Sequence, residues 1–297
     1  MDPTSLIKID YLRRLIVERT EAGQHPEETL TELIATGLSR DEATDLMVTE
    51  LEKRLGVLQT SAQRNASATQ ADSVESLRKR AVPDPRRSRT DNLCRVIDRD
   101  VRFLSEHRSP HVLFVDNLLS ATECDQLIAL GRRNMRASTV IDMDSGGEKF
   151  SGDRSSSSAA LTRLGSPLIA RIERRLAEFA QWPIEHGEAL QILRYGPGQE
   201  YRPHYDFVDP TQPGAQPFLA RGGQRVASIV MYLNTPQAGG GTAFPDLGIE
   251  FAAIKGHAVF FSYDCAHPSS RTLHAGSPVL KGEKWVSTKW LREAEHH

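Results

Sequence analysis

Hydrophobic residues recur at two different spacings along this chain of 297 residues, and the spacing changes near residue 90. Near the start, Leu6, Ile9, Leu12 and Ile16 follow one another at intervals of three or four residues, which is typical of one helix face. Later, short apolar runs alternate with glycine and proline, which is typical of strands and turns. The pattern therefore predicts helices first and a mainly β domain afterwards.

Two further short helices are predicted within residues 1–56. Pro26 suits the first turn of one helix, and Gly37 suits the cap at its end. Ser39 and Glu42 form a capping box that begins another helix. We expect residues 1–56 to form a small helical module. Either this module serves for docking or dimerisation, or it packs passively on the main domain.

The segment between residues 57 and 91 has a different composition. Ser, Ala, Gln and Asn dominate its first half, and basic residues and prolines dominate its second half, as in Arg78–Arg80 and Pro83–Arg89. Low hydrophobicity with proline and charge is typical of a flexible linker. The basic run is interpreted as a solvated face rather than as a binding site for an acidic partner.

Residues 92–297 are predicted to form the main domain. A strand is expected at 111–116, and helices at 120–133 and 166–181. The later predicted strands are 188–195, 200–207, 225–233, 248–252, 256–263, 270–275 and 283–291. Short strands separated by Gly and Pro predict a sandwich or barrel with the two helices packed outside it. Residues 144–158 and 209–223 are predicted loops, and the second either shapes the entrance to a site or forms a surface excursion.

Overall composition narrows the classes of partner. The hydrophobic fraction is 39% and the formal net charge is −2, which gives no reason to expect nucleic acid or an anionic membrane as partner. No apolar run is long enough to span a bilayer, and the first residues lack a signal-peptide apolar region. The three cysteines have neither metal-site nor disulfide spacing, so a cytoplasmic location is expected.

His204 and Asp206 are candidate metal ligands. Side chains at i and i+2 of a strand point to the same face, so this pair presents an imidazole and a carboxylate together. Such a pair is two thirds of a 2-His-1-carboxylate site, which suits Fe(II) and leaves open positions. A strand-end histidine beside a turn aspartate is the alternative. His274 is a candidate third ligand from a distant segment, and Lys284 is a candidate cation beside it.

Several motifs in order resemble the prolyl 4-hydroxylases, which are Fe(II)- and 2-oxoglutarate-dependent dioxygenases. The resemblance covers about residues 110 to 292. The motifs are Leu190–Asp206, Met231–Asn234, Gly239–Pro245, Leu273–Gly276 and Lys281–Trp285. The resemblance implies a double-stranded β-helix, or jelly roll, with core motifs at 188–292. It also implies peptidyl hydroxylation, in which a prolyl residue is oxidised at C4 and succinate and CO2 are released.

The resemblance also implies roles for individual residues. His204, Asp206 and His274 would bind Fe(II), leaving positions for 2-oxoglutarate and O2. Lys284 would bind the far carboxylate of 2-oxoglutarate, because a buried lysine requires an anion. The other expected site residues are Tyr195 and Thr242 as hydrogen-bonding partners of the cosubstrate, Trp290 as pocket wall or core residue, and Arg154 near the substrate groove. Ascorbate is expected as a further cofactor, and a proline-containing peptide or protein as the substrate partner.

Two positions depart from the family pattern. Gly241 stands where many relatives carry Glu, and Ser277 replaces a common Cys. Neither change removes a ligand, so activity is expected. Two alternatives stay open: a 2-oxoglutarate oxygenase acting on a non-prolyl substrate, and an inactive metal-binding interaction protein.

Overall fold

The computed structural model describes residues 12, 15–16, 19, 24, 26–47, 49, 77–86, 88, 90–137, 139–141, 148–150 and 156–296. Four residues named in the sequence predictions, Leu6, Ile9, Arg89 and Arg154, lie outside these described residues, as does the first part of the predicted linker, 57–76. The chain divides into two compact units, Met1–Gln70 and Ala71–His297.

The first unit contains helix α1 (Pro26–Ala35) and a helical stretch at 40–47. The backbone N–H of Ser39 donates to Oε2 of Glu42 at 2.8 Å, and the backbone N–H of Glu42 donates to Oγ of Ser39 at 3.2 Å. This reciprocal pair is the predicted capping box. The unit has its own buried apolar cluster, made of Leu12, Ile16, Leu30, Leu33 and Ala43.

The second unit is mainly β. Its strands, as far as residues are described, are β1 (Leu93–Val96), β2 (Arg99–Arg108), β3 (His111–Asp116), β4 (Arg136–Ala137), β5 (Thr139–Ile141), β6 (Glu148–Phe150), β7 (Ser157–Ala160), β8 (Gln191–Tyr195), β9 (Tyr201–His204), β10 (Arg225–Tyr232), β11 (Ala238–Gly239), β12 (Thr242–Phe244), β13 (Ile249–Phe251), β14 (Ala258–Ser262), β15 (His274–Gly276), β16 (Val279–Lys281) and β17 (Lys284–Arg292). Its helices are α2 (Ala121–Arg133), α3 (Pro167–Ala180) and the short α4 (Ala215–Leu219).

Two larger sheets form the jelly roll. The major sheet has the strand order β1-β2-β3-β14-β10-β17-β8-β7-β4, and the minor sheet has the order β13-β12-β15-β9. All pairings within them are antiparallel. The predicted fold class, a mainly β jelly roll with flanking helices, is confirmed.

The two faces of the major sheet bury different partners, because successive side chains of a strand point to opposite faces. On β14, Phe260 belongs to the apolar cluster that contains Leu127 of α2 and Leu176 of α3, so this face is covered by the helices. The next residue, Phe261, packs in a second cluster with Phe244 of the minor sheet. The second cluster lies between the sheets and forms the interior of the roll.

The helices begin where the sequence predicts. Ser120 and Glu123 form a complete capping box at the start of α2. Oγ of Ser166 accepts a hydrogen bond from the backbone N–H of Ile169 at the start of α3. These caps satisfy backbone donors that the first helical turn leaves unpaired. No described helix has the length and apolar composition that crossing a membrane requires.

The structure differs from the sequence predictions in several loops. The hairpin of β1 and β2 was not predicted, and α4 interrupts the predicted loop 209–223. Strand β6 and the first residues of β7 fall within the predicted loop 144–158, because backbone pairing with neighbouring strands holds these polar segments extended.

Part of the predicted linker belongs to the second unit and packs within it. Nζ of Lys79 lies 2.7 Å from a carboxylate oxygen of Asp264. The backbone N–H of Arg80 donates to the carbonyl oxygen of Asp264 at 2.8 Å, and its Nε lies 3.1 Å from Glu293. The boundaries 1–56, 57–91 and 92–297 stay a prediction.

Candidate metal centre and adjoining pocket

Three potential metal ligands meet where β9 and β15 pair. His204 at the end of β9 lies directly opposite His274 at the start of β15. Asp206 follows two residues after His204. Nε2 of His204 is 3.7 Å from Oδ1 of Asp206, and Nε2 of His274 is 3.5 Å from Oδ2. The structure thus brings together the three residues that the sequence predicted as a ligand set.

Both imidazoles are held by the backbone. Nδ1 of His204 is 2.8 Å from the carbonyl oxygen of Arg202, and Nδ1 of His274 is 3.0 Å from that of Thr272. A carbonyl only accepts, so each Nδ1 carries the proton and donates it. In the neutral imidazole this leaves the lone pair on Nε2, on the side that faces Asp206, which is the form in which histidine binds a metal.

Asp206 is buried and stays ionised. Burial alone would raise the pKa of its carboxyl, but His274, His204 and Arg225 together with a hydrogen bond from Ser228 lower that pKa to about 2. A buried carboxylate in its charged form needs compensating positive charge. A bound cation would supply it.

The donor set fits Fe(II). One atom from each of His204, Asp206 and His274 lies within 4.8 Å of the others. Two imidazole nitrogens and one carboxylate oxygen, presented from one side, form the 2-His-1-carboxylate arrangement that leaves coordination positions open. Among the described residues this is the one cluster of three or more His, Cys, Asp or Glu side chains close enough to hold a metal.

A pocket adjoins the cluster. Its wall is partly apolar, with Leu193, Val230 and Val286, and partly polar. The polar and aromatic lining residues are Tyr195, Tyr201, His204, Asp206, Thr242, His274, Lys284, Thr288 and Trp290. The even-numbered residues of β17 from Lys284 to Trp290 all line it, as the alternation of a strand requires.

Lys284 is a buried cation in this pocket. Its side chain is 3% exposed, and Nζ donates to the carbonyl oxygen of Gly241 at 3.0 Å. No described carboxylate forms an ion pair with it within 4.0 Å. Burial lowers the pKa of the ammonium group to about 8, with the charge of Glu250 opposing this shift. A lysine in this position is suited to an anionic ligand.

Three further predicted residues lie in the same pocket. Tyr195 is directly opposite Lys284 on the neighbouring strand β8. Oγ1 of Thr242 accepts a hydrogen bond from the hydroxyl of Tyr232 at 2.7 Å. Trp290 lines the wall, and its buried indole N–H has no hydrogen-bond partner among the described residues. The guanidinium of Arg225 lies 4.0 Å from the centre of its ring.

Gly241 makes room for a carboxylate from another strand. A Cβ atom placed on Gly241 would overlap the side-chain carboxylate of Glu250 on β13. The two preceding residues, Gly239 and Gly240, have φ angles of 71° and 73°, which favour glycine. At the position where many relatives carry Glu, Gly241 therefore leaves a space, and the carboxylate of Glu250 fills this space from β13.

Other sequence-derived candidates lie elsewhere. Arg154 is outside the described residues. His257 is 3.5 Å from Asp116, and His267 caps a short 3-10 helix, so neither joins the metal cluster. The sequence reasoning missed Ser228, whose hydroxyl donates to Asp206, because no motif marks that position on β10.

A jelly roll that presents two histidines and a carboxylate beside a buried lysine defines a mononuclear metal-dependent oxygenase site. Comparison with known proteins agrees with this class. Residues 190–292 match the family model described as the 2OG-Fe(II) oxygenase superfamily.

Proteins with similar sequences indicate which family within this superfamily the chain resembles. The chain is 40% identical over 202 residues to prolyl 4-hydroxylase 1 of Arabidopsis thaliana, an alignment that covers 62% of this chain and 70% of that protein. It is 37% identical over 209 residues to probable prolyl 4-hydroxylase 3 of the same plant, covering 63% and 71%. A crystal structure of the viral collagen prolyl hydroxylase vCPH from Paramecium Bursaria Chlorella virus-1 aligns with a TM-score of 0.47 and 30% identity, covering 61% of this chain and 95% of that chain.

The chain belongs to the prolyl 4-hydroxylase family of the 2OG-Fe(II) oxygenase superfamily. It is accordingly a dioxygenase that uses Fe(II), 2-oxoglutarate and O2. The family and enzyme class predicted from the sequence motifs are confirmed.

Proposed function

We propose that this enzyme hydroxylates C4 of a prolyl residue in a peptide and releases succinate and CO2 as co-products. The observation that carries the proposal is the placement of Lys284 in one pocket with His204, Asp206 and His274. Lys284 is a buried lysine that forms no ion pair within 4.0 Å with a carboxylate of the described residues. The names of the relatives, which are prolyl 4-hydroxylases, supply the choice of proline.

His204, Asp206 and His274 would hold Fe(II). When bound, the metal, O2 and 2-oxoglutarate supply the oxidising chemistry, in which one oxygen atom enters succinate and the other enters a C–H bond of the substrate. The protein fixes both imidazoles through their Nδ1 atoms, so the ligands need little reorganisation when the metal binds.

Lys284 would bind the carboxylate of 2-oxoglutarate that is remote from the metal. Its ammonium lies on the interior side of β17 and has two further N–H donors beyond the one given to Gly241. Tyr195, opposite it, and Thr242 would complete the hydrogen bonds to the cosubstrate. Burial strengthens each of these charge-assisted contacts.

The apolar part of the pocket excludes water from the reacting atoms. Leu193, Val230 and Val286 line it, and Trp290 forms a further wall. Exclusion of water protects an oxidising centre from side reactions and strengthens electrostatic contacts inside the site.

Further elements of the proposal concern the surroundings of the enzyme. Ascorbate would return over-oxidised iron to Fe(II). The helical module at 1–56 would bind a protein partner. The three cysteines are buried free thiols, which fits a reducing compartment, and we place the enzyme in the cytoplasm. Cell fractionation of the tagged protein tests the location.

Succinate release tests the activity. Purified protein is supplied with Fe(II), 2-oxoglutarate and ascorbate, with a proline-rich peptide or with the same peptide carrying alanine in place of each proline. We expect succinate release to rise only with the proline peptide, together with a mass increase of about 16 Da, as insertion of one oxygen atom requires.

Two other outcomes would contradict parts of the proposal. Slow succinate release that neither peptide stimulates would retain the oxygenase and reject prolyl peptides as substrate. Absence of turnover by protein that has been shown to bind iron would favour a metal-binding interaction protein.

A further inference from the structure

A pair of buried hydroxyl groups stands behind the metal ligand Asp206. Oγ of Ser228, on β10, donates to Oδ2 of Asp206 at 2.6 Å, and the side chain is fully buried. The hydroxyl of Tyr263, just after β14, lies 3.0 Å from the same Oγ. None of the sequence motifs includes Ser228 or Tyr263, and the proposed reaction gives neither of them a direct task.

Counting protons fixes the direction of these two hydrogen bonds. A serine hydroxyl has one proton, and Ser228 gives it to Asp206, whose ionised carboxylate can only accept. The phenol of Tyr263 must therefore donate to Ser228. Burial raises the pKa of this phenol well above its usual value, so it keeps its proton throughout the working pH range. The order is Tyr263 to Ser228 to Asp206.

The two oxygens of Asp206 are thus in different surroundings. Each oxygen faces one imidazole, since Oδ2 lies 3.5 Å from Nε2 of His274 and Oδ1 lies 3.7 Å from Nε2 of His204. Only Oδ2 accepts a hydrogen bond, from Ser228, and Oδ1 has no hydrogen-bond donor among the described residues. A short hydrogen bond takes up lone-pair density on Oδ2 and fixes the rotation of the carboxylate.

We infer that Ser228, supported by Tyr263, is a positioning residue that restricts Asp206 to a single metal-binding oxygen, Oδ1. The inference rests on the proposed function and deepens it. In a six-coordinate site, two histidines and one carboxylate oxygen leave three positions, which is the number that a chelating 2-oxoglutarate and O2 require together. A carboxylate that binds through both oxygens would leave only two.

The chain offers a matched control. Ser287, on the neighbouring strand β17, is also fully buried, but its Oγ has no hydrogen-bond partner among the described residues. Replacing Ser287 by alanine removes a buried serine hydroxyl from the same sheet without touching Asp206. A general effect of removing a buried hydroxyl would appear in both variants, whereas positioning of the carboxylate depends on Ser228 alone.

Co(II) binding to the full-length protein, without substrate or cosubstrate, tests the inference. Affinity is measured by titration and the site by the visible absorption of bound Co(II), which reports coordination geometry. We expect Ser228→Ala to weaken Co(II) binding about 10- to 100-fold, the usual effect of losing a residue that orients a ligand, and to change the spectrum. Ser287→Ala should match the wild type in both Co(II) affinity and spectrum. Tyr263→Phe should weaken Co(II) binding and change the spectrum in the same sense as Ser228→Ala, but to a smaller extent.

The possible results distinguish a failure of this inference from a failure of the proposed function. If the wild type binds Co(II) and Ser228→Ala binds it equally, with an unaltered spectrum, Ser228 does not position the carboxylate. A lower thermal stability with unchanged metal binding would assign Ser228 a structural role only. If Ser228→Ala does not fold, the Co(II) affinity and spectrum of Tyr263→Phe test the inference instead, because this variant loses the phenol hydroxyl and keeps the ring in place. Unchanged values in Tyr263→Phe would then contradict it. Failure of the wild type to bind Co(II) would overturn the metal site itself.

Discussion

His204 and His274 lie directly opposite each other on β9 and β15, with ring centres 4.3 Å apart and both Nε2 atoms directed at Asp206. The two histidines are far apart in sequence, and antiparallel pairing alone places them together. This register fixes both histidines of the candidate metal centre on paired strands of the minor sheet, and Asp206 follows the end of β9 by two residues. Rigid presentation of ligands is what a site with open positions requires.

Removal of one histidine should destroy the centre. We predict that His274→Ala lowers Fe(II) affinity more than about 100-fold and abolishes succinate release, because two ligands hold this metal poorly. Isothermal titration with Fe(II) under anaerobic conditions measures the loss. His267→Ala, which removes a half-buried histidine that lies outside the cluster, should bind metal like the wild type. Full metal affinity in His274→Ala would exclude this residue as a ligand.

Loss of the buried ammonium group of Lys284 should weaken the binding of 2-oxoglutarate without weakening the binding of the metal. We predict that Lys284→Ala raises the KM for 2-oxoglutarate roughly 10- to 100-fold, since a charge-assisted contact contributes about 1.5–3 kcal/mol. Fe(II) affinity should stay near that of the wild type. Lys281→Ala, which removes an exposed lysine on β16, serves as the control. An unchanged KM in Lys284→Ala would rule out an anion contact at this position.

The depressed pKa of Lys284 predicts a pH dependence. Burial lowers this pKa to about 8, and only the protonated ammonium attracts a carboxylate. The KM for 2-oxoglutarate should therefore be flat at lower pH and rise about tenfold per pH unit above about 8. Steady-state kinetics between roughly pH 6.5 and roughly pH 9.5 measure the profile, and a flat profile across the range would contradict it.

Glu250 provides the control for that profile. Its charge raises the pKa of Lys284 and partly opposes the effect of burial. Glu250→Gln should therefore move the rise in KM to lower pH, since the ammonium then loses its proton more readily. A rise that stays in place would assign the pH dependence to a group other than Lys284.

Much of this site could be predicted from the sequence, because its main features follow from local alternation and motif order. His204 and Asp206 share a face by the parity of an extended segment, and Lys284 and Trp290 do so within one strand. Ser228 and Tyr263 could not be predicted in the same way. The pairing of β10 with β14 brings Tyr263 to Ser228, and Ser228 in turn reaches Asp206, which lies on neither of these strands. Both relationships are long-range, and single-strand patterns do not contain them.

The hairpin of β1 and β2 was missed for a different reason. Strand β2 carries charged residues along most of its length and buries only Val101 and Phe103. Its alternation is too sparse to indicate a strand, and backbone pairing with β3 holds it in place. Strands near the edge of a sheet often carry charges, which protects them from pairing with other chains.

The division into two compact units predicts that the chemistry resides in the second. A chain trimmed to residues 71–297 should fold and release succinate with a short peptide at a rate within about threefold of the full chain, since each unit has its own apolar core. Circular dichroism and the succinate assay check this expectation. Loss of folding in the trimmed chain would show that the N-terminal unit belongs to the same folding unit as the jelly roll.

A buried arginine anchors the helices to the sheet. Arg175 of α3 is fully buried, donates to both carboxylate oxygens of Glu123 at 2.9 and 2.7 Å, and also pairs with Asp98. Arg175→Met should lower the free energy of unfolding by about 3–5 kcal/mol, because Glu123 and Asp98 both lose their hydrogen bonds from Arg175. Arg99 and Arg171, at 3.1 and 3.3 Å from the carboxylate of Glu123, compensate its charge only in part. Urea denaturation at neutral pH measures the loss, and Arg174→Met, which changes an exposed residue of the same helix, should stay within about 0.5 kcal/mol of the wild type.

The loss caused by Arg175→Met should depend on pH. Burial alone would raise the pKa of Glu123, but hydrogen bonds from Arg175 and from the backbone of Ser120 lower it from 4.5 to about 2. A carboxyl with a lowered pKa stabilises the folded state fully above its unfolded value, and this contribution disappears as the pH falls through the folded value. The difference between wild type and Arg175→Met should therefore shrink between about pH 4.5 and about pH 2. A difference that stays constant over that window would show that the arginine acts through packing rather than through its charge.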